Sequence, residues 1–386
     1  MKKPTVLLIS FVFSPNIGGV ESHLDDLCSY LTKNNFKVVV ITYQPIISKI
    51  NAPSFEKKKN LEIRRIPWIK FNLFNRLEKL SVLQFLYLVP TIFLYSSFYL
   101  LKNKNKIDII QTHGFNMAFV GAACSLLFRK KFNVNTHVSF NFNKKGMYEK
   151  ILRIVLNKAT KILVLTSQAK RELVKIGVNQ QKIVVYHQWI DQKLFSAKGK
   201  NQSRKKLGLP ENKFIVLFTG RFVQTKGVNL LLEAAKRVKD SMQFVFVGSG
   251  PLKESIKSYS KDNSRIRFVG EIKKEDLPYY YSSADVSIIP SIGATKRYSE
   301  GIPRVMIEAF TCGTPVISTR VGGAVELINK NVGFFVSPKS KEIANLLNNI
   351  SKEPAMLAKM SKECPVYAQK EFGLVNNAKI IEQTLQ

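Results

Sequence analysis

Residues Tyr298–Ser318 read YSEGIPRVMIEAFTCGTPVIS, and their order decides the fold class. Pro303 suits a first helical residue, Gly313 suits a stop, and Pro315 lies where a helix cannot continue. The spacing predicts a helix over Pro303–Cys312, about 15 Å long at ~1.5 Å per residue. Val305, Met306, Ile307, Ala309 and Phe310 make it apolar on most sides, so it packs inside a domain. The flanking runs ADVSIIPS and TPVISTRV read as buried strands, and strand, helix, strand is the unit of a parallel sheet. Glu308 is then a carboxylate inside an apolar helix and needs a polar partner. Glu300 sits in the loop at the carboxyl end of the first strand, where open α/β sheets place their ligands.

The same alternation runs outward in both directions. The first half offers TVLLISFVF, KVVVITY, LEIRRIP, IDIIQTH, KFNVNTH, KILVLTS and KIVVYH as strands. The second offers FIVLFTG, FVFVGSG, IRFVG, DVSIIPS, PVISTRV and VGFFV. Between the sets, SAKGKNQSRKKLGLPENK is polar, basic and punctuated by Gly and Pro, and reads as a linker running into a short helix. Two doubly wound α/β domains are expected, residues 1–192 and 193–367, with a C-terminal helix at about 368–386 packing back on the first.

Charge narrows the partners. The 386 residues hold 60 Lys+Arg against 27 Asp+Glu, a formal net charge of +33, with 45% hydrophobic residues. A globular chain this basic implies an anionic partner. No basic strip with interleaved aromatics and no nucleic-acid motif occurs, which argues against nucleic acid. Cys28, Cys124, Cys312 and Cys364 are widely separated, favouring reduced, buried thiols over a disulfide framework or a zinc site. MKKPTVLLISFVF imitates a signal peptide but lacks a cleavage pattern behind it, and reads as a first buried strand. Leu80 to Leu101 contains no charged residue. It admits three readings: a core-facing helix pair broken at Pro90, an apolar face at a membrane interface, or a spanning helix. Lys70, Arg76, Lys79, Lys102, Lys104 and Lys106 flank it and suit anionic headgroups.

Three loops carry candidate chemistry. In FVFSPNIGGVESH, Gly18 and Gly19 stand between the first strand and a helix, where backbone amides and the helix dipole suit a phosphate, or where a tight turn is needed. In FTGRFVQTKG, Arg221 and Lys226 follow the first strand of the second domain; they are a diphosphate clamp or two surface charges. The Gly-x-Gly of VGSGPLKES lacks the remainder of a dinucleotide fingerprint. No Asp-x-Asp occurs and the four histidines lack metal-ligand spacing, so no metal site is expected. His113 and His137 each end a strand of the first domain; His23 and His187 receive no role.

Together these segments resemble the retaining glycosyltransferases of family 4, whose fold is GT-B: two Rossmann-like domains facing each other across a cleft. SEGIPRVMIEAFTCGTPVISTRVGGAVELI resembles that family's E-x7-E region, and GGVESHLDDLCSYLTKNNFKVVVIT, GRFVQTKG and VGSGPLKESI extend the likeness over nearly the whole chain. The resemblance implies that Glu300 contacts hydroxyls of the donor sugar and Glu308 the ribose. Arg221 and Lys226 would bind the diphosphate, with Gly18 and Gly19 approaching it. Gly248, Gly270 and Glu271 would border the base, and His137 would lie near the donor sugar and phosphate. It further implies a UDP- or GDP-linked sugar donor, no separate cofactor, and a glycan or lipid-linked acceptor. With the charge, it suggests a cytoplasmic protein, peripheral at the inner face of the cell membrane. A nucleotide-sugar epimerase of the same fold and a non-catalytic subunit are the alternatives. HQWIDQKLF departs from the family's usual Asn-Gly-Val-Asp run, and SIGATKRYSEGIP is long and basic ahead of Glu300.

Overall fold

The structure, a computed structural model, describes residues 3–16, 18–46, 50–69, 73–77, 80–140, 142, 146–292 and 298–386. The chain divides into two compact units, unit 1 of residues 1–188 with 374–386 and unit 2 of residues 189–373.

Unit 1 runs β1 (Thr5–Ser10), α1 (Gly19–Lys33), β2 (Lys37–Tyr43), β3 (Phe55–Lys58), β4 (Leu61–Ile66), α2 (Leu73–Arg76), α3 (Ser81–Asn103), β5 (Ile109–His113), α4 (Phe115–Phe128), β6 (Lys131–Asn135), β7 (Val138–Phe140), α5 (Met147–Lys158), β8 (Lys161–Val164), α6 (Ser167–Lys175) and β9 (Ile183–Val185). Eight of the strands form one sheet in the order β3-β4-β2-β1-β5-β6-β8-β9. It is parallel except where β3 pairs antiparallel with β4. Val6 to Ile9 and Val38 to Ile41 are buried throughout, as strands covered by helices on both faces must be. The sequence reading contained seven of these strands and omitted β3, whose FEKK has no apolar run because it lies at the sheet edge.

Leu80–Leu101 is not a helix pair. Pro90 lies inside one continuous 23-residue helix, α3. Tyr43, buried on β2, explains how the helix survives it. Its hydroxyl donates to Leu88 O at 2.7 Å and accepts from Ile92 N at 3.1 Å, standing in for a backbone bond one turn long beside the proline.

Unit 2 runs α7 (Lys200–Leu207), β10 (Phe214–Thr219), α8 (Val228–Ala235), β11 (Met242–Val247), α9 (Lys253–Asp262), β12 (Ile266–Gly270), α10 (Leu277–Ser283), β13 (Val286–Ile289), β14 (Tyr298–Glu300), α11 (Arg304–Thr311), β15 (Val316–Ser318), α12 (Ala324–Leu327), β16 (Gly333–Phe335), α13 (Ser340–Ile350) and α14 (Pro354–Phe372). Six strands form a wholly parallel sheet in the order β12-β11-β10-β13-β15-β16. α11 is one residue shorter at each end than the sequence predicted, because Pro303 keeps an extended ψ of 115° and serves as the cap. The expected linker helix is α7. Its Arg204, buried, donates to Ser283 O at 3.0 Å and to the Asp285 carboxylate at 2.7 Å, tying α7 to the start of β13. The chain closes with α15 (Leu374–Leu385) in unit 1, where Asn133 Nδ2 donates to Thr384 O at 2.7 Å.

Candidate functional site

The carboxyl ends of β10, β11 and β12 crowd together in unit 2. Gly220 N donates to Val247 O at 3.0 Å, and Gly248 N to Gly270 O at 2.8 Å. Gly248 has φ +136°, and a Cβ there would lie 2.0 Å from Gly220 O, so no larger residue fits between these two turns. The packing aligns one loop from each strand on the same edge. Arg221, exposed, follows β10; Lys226, partly buried, ends the single turn before α8. Gly227 needs its glycine as well, with φ +73° and Pro290 O only 2.0 Å from the place of a Cβ. That contact brings the β10 and β13 loops together, and Ile292 N donates to Thr225 O at 3.0 Å. Gly270 ends β12 and Glu271, exposed, follows it.

Glu308 sits on α11, which follows the β13 strand, and is buried. Its Oε2 accepts from Tyr281 Oη at 2.8 Å, and its Oε1 lies 3.6 Å from Arg304 Nε one turn earlier. Because the tyrosine proton goes to Glu308, Thr219 Oγ1 must donate to Tyr281 Oη, 2.8 Å away. Burial, then the adjacent carboxylate, raises the Tyr281 pKa well above its ordinary value, so the phenol stays protonated and donates at any working pH. The sequence reading missed Tyr281. Three consecutive tyrosines, 279 to 281, precede the strand, and nothing in the run shows which one the helix turns inward. Tyr281→Phe should cost unit 2 about 1–3 kcal/mol, since a buried carboxylate loses its donor and Thr219 loses its acceptor. Urea denaturation checks this, and an unchanged midpoint would count against the chain of bonds.

Glu300 ends β14, and its side chain lies outside the described residues, as does the basic stretch 293–297. Lys70 and Lys79 lie outside them too.

In unit 1 the diglycine has a local packing reason of its own. Gly18 has φ −179°, extended backbone open to any residue. A Cβ on it would lie 2.3 Å from Glu21 Oε2, so the carboxylate of the first turn of α1 folds back into the space the glycine leaves. Gly19 opens α1 and is exposed.

The sheet then gathers the histidines. His113 ends β5 opposite Asn135 of β6, and His137 lies two residues beyond β6. The rings stack at 5.2 Å and 12°, with His113 Nδ1 and His137 Nε2 3.0 Å apart. Gln188 Nε2 lies 3.2 Å from His137 Nδ1. An amide N–H can only donate, so His137 Nδ1 accepts and its proton sits on Nε2, pointing at His113 Nδ1. His23, given no role by the sequence, stands edge-on to His137 at 5.7 Å and meets Tyr186 Oη at 3.0 Å. Burial pushes the His137 pKa down to about 4, and burial together with His137 holds His113 well below its ordinary value. Both rings are therefore neutral at pH 7.

This predicts a pH response. In the unfolded chain these imidazoles take up protons near pH 6.5, whereas the folded chain refuses them until about pH 4. The unfolded state thus binds more protons in that window, and stability falls as pH drops from about 6.5 toward 4. The unfolding temperature should decline across it by about 2–4 °C for each kcal/mol lost. His137→Asn should flatten the decline, and a parallel curve for that variant would overturn the assignment.

The comparisons with known proteins agree with this architecture. Glycosyltransferase Family 4 matches residues 17–194, and Glycosyl transferases group 1 matches residues 199–367. The putative teichuronic acid biosynthesis glycosyltransferase TuaC of Bacillus subtilis is 28% identical over 255 residues, 66% of this chain and 61% of that protein. The D-inositol 3-phosphate glycosyltransferase of Arthrobacter sp. is 32% identical over 243 residues, 59% of this chain and 56% of that protein. These alignments thus span little more than half the length of the two relatives. Among solved structures, sucrose-phosphate synthase of Thermosynechococcus elongatus superimposes with a TM-score of 0.80 at 23% identity, covering 99% of this chain and 98% of that one. The Anabaena protein HepE in complex with UDP-glucose gives 0.73 at 19% identity, covering 98% and 99%. With two adjoining matches that take in nearly all of the chain and with two parallel Rossmann-like units, the protein belongs to the family 4 glycosyltransferases of GT-B fold.

Proposed function

We propose that the protein is a retaining hexosyltransferase that moves a sugar from a UDP- or GDP-linked donor to an acceptor hydroxyl, with no metal ion taking part. The observation that carries the reading is the convergence of Arg221, Lys226, Gly248, Gly270, Glu271 and Glu308 on the carboxyl edge of one parallel sheet, the edge where such sheets take ligands. Arg221 and Lys226 meet the diphosphate, the turns at Gly248 and Gly270 border the base, and Glu308 accepts from the ribose hydroxyls. Glu300 holds the donor sugar. HepE, of the same fold, was solved with UDP-glucose.

In the reaction the bond from the anomeric carbon to the phosphate oxygen breaks as the acceptor oxygen adds on the same face. The acceptor's proton passes to the departing phosphate oxygen. Negative charge grows on that leaving group, so fixed cations there stabilise the transition state more than the ground state. His137 is neutral, with both ring nitrogens engaged by Gln188 and His113, so it adds no charge. The acceptor is a lipid-linked or membrane-bound glycan precursor at the cytoplasmic face of the cell membrane, supported by the +33 charge and the exposed apolar face of α3.

Binding and slow hydrolysis of UDP-glucose, UDP-GlcNAc, UDP-galactose and GDP-mannose, compared between wild type and Glu300→Ala, test this. One donor should bind selectively, and the variant should lose its hydrolysis. No binding of any donor would sink the reading, and an epimerised nucleotide sugar released without an acceptor would replace it.

A further inference from the structure

α3 buries one stripe and exposes the opposite one. Leu88, Ile92, Ser96 and Leu100 are fully buried. Leu86, Leu94 and Phe98 share the same four-residue spacing two positions out of step, about 200° around the helix at ~100° per residue. They are 57%, 65% and 57% exposed. α3 is long and apolar enough to cross a bilayer, yet its buried stripe is committed to unit 1, which leaves it lying flat.

The exposure does not stop at α3. α3 packs on α4, and α4 on α5. The crossovers β4 to β5, β5 to β6 and β6 to β8 all step the same way along the sheet, so right-handed connections put these helices on one face. Leu126 and Leu127, at the end of α4, are exposed. On α5, Met147, Ile151 and Ile154 recur at i, i+4 and i+7, all exposed, while Leu152 and Leu156 are buried behind them. Neighbouring elements of a soluble monomer rarely carry matching apolar stripes into water. The surrounding charge is of one sign. Residues 81–158 contain eleven Lys and Arg against two acidic residues, Asp108 and Glu149. Of these, Glu149 is buried and Asp108 accepts from the Thr5 amide at 2.7 Å.

We infer that α3, α4 and α5 form one platform that seats unit 1 on an anionic lipid bilayer, with the apolar stripes in the acyl boundary and the basic rim at the headgroups. A second copy of the chain would bring like charges together on this face, whereas an anionic bilayer neutralises them. The platform rests on the proposed glycosyl transfer only for its purpose, presenting a lipid-linked acceptor.

Co-sedimentation of the full chain with phosphatidylcholine vesicles, with and without phosphatidylglycerol, tests it at low and high salt. Binding should be at least about tenfold stronger to the anionic vesicles and should weaken with salt. Leu94→Glu with Phe98→Glu on α3, and separately Ile151→Glu with Ile154→Glu on α5, should each lower it about tenfold or more. Ile151→Ser with Ile154→Ser keeps the test valid if the glutamates disturb folding, as circular dichroism will show. Failure to sediment with anionic vesicles overturns the platform. Wild-type binding by the α5 variants overturns the three-helix surface, and a dimer dissolved by the same substitutions in light scattering makes a second copy the occupant. Donor binding, measured on the same samples, separates these failures from failure of the proposed transfer.

Discussion

Arg221→Ala should lower kcat by about 10²–10³-fold, roughly the effect of removing one fixed donor from developing negative charge. Arg221 and Lys226 share the loop between β10 and α8, held in place by the Gly227 contact with Pro290 and the Thr225 bond to Ile292. On the proposed function, such a scaffold would hold the loop that carries both cations without reorganisation as a diphosphate departs. Because charge grows on the leaving group only as the bond breaks, the loss should fall mainly on kcat, with KM changing less. Arg221→Lys should recover only part of it, since an ammonium offers no planar fork to two phosphate oxygens. Steady-state kinetics with the selected donor decide the matter. An Arg221→Ala enzyme within threefold of wild type would reduce the residue to a surface charge.

Asp285→Ala should cost unit 2 about 3–5 kcal/mol, because it strands a buried guanidinium. The Asp285 carboxylate accepts from Arg204 Nη2 at 2.7 Å and from the Ile215 amide at 2.6 Å, where α7, β10 and β13 meet. Arg204 is 4% exposed, so once unpaired it has little access to water. The same carboxylate also pairs with Lys200, whose side chain is 46% exposed. Lys200→Ala should cost only about 0–1 kcal/mol, as exposed pairs do. Chemical denaturation of the three proteins, with Asp285→Asn falling between, separates the buried contact from the surface one. Equal effects for Asp285→Ala and Lys200→Ala would contradict the burial.

Most of the parallel strands were legible because they carry apolar runs ended by a small or polar residue, such as KVVVITY or FIVLFTG, and that pattern follows from burial on both faces, whereas β4, LEIRRI, was legible by its alternation. β3, β7 and β14 were not, since FEKK, VSF and YSE contain no continuous apolar run in sequence. The candidate loops were legible where backbone demands glycine beside a charge, as at Arg221 and Lys226. Gly18 was legible as a glycine but not for its cause, the returning carboxylate of Glu21. The partners of Glu308 divide the same way. Arg304 lies one helical turn away, a spacing that the sequence itself displays, whereas Tyr281 comes from another helix, 27 positions off. Gln188 and His23 were invisible for that reason as well, because only the sheet brings them to His137.

The hydroxyl of Tyr43 has a consequence for how this sequence can drift. Ile92 N and Leu88 O depend on a residue 45 or more positions earlier, in the turn where Pro90 interrupts the helix. Phenylalanine at 43 should be poorly tolerated while Pro90 remains. With alanine at 90 the helix regains the bond from residue 90 to Leu86 O and loses the ring that opens this turn, so the hydroxyl should matter less. Positions 43 and 90 should therefore change together among descendants of this chain, and a deep mutational scan of pairs would show the coupling as recovery of Tyr43→Phe by Pro90→Ala.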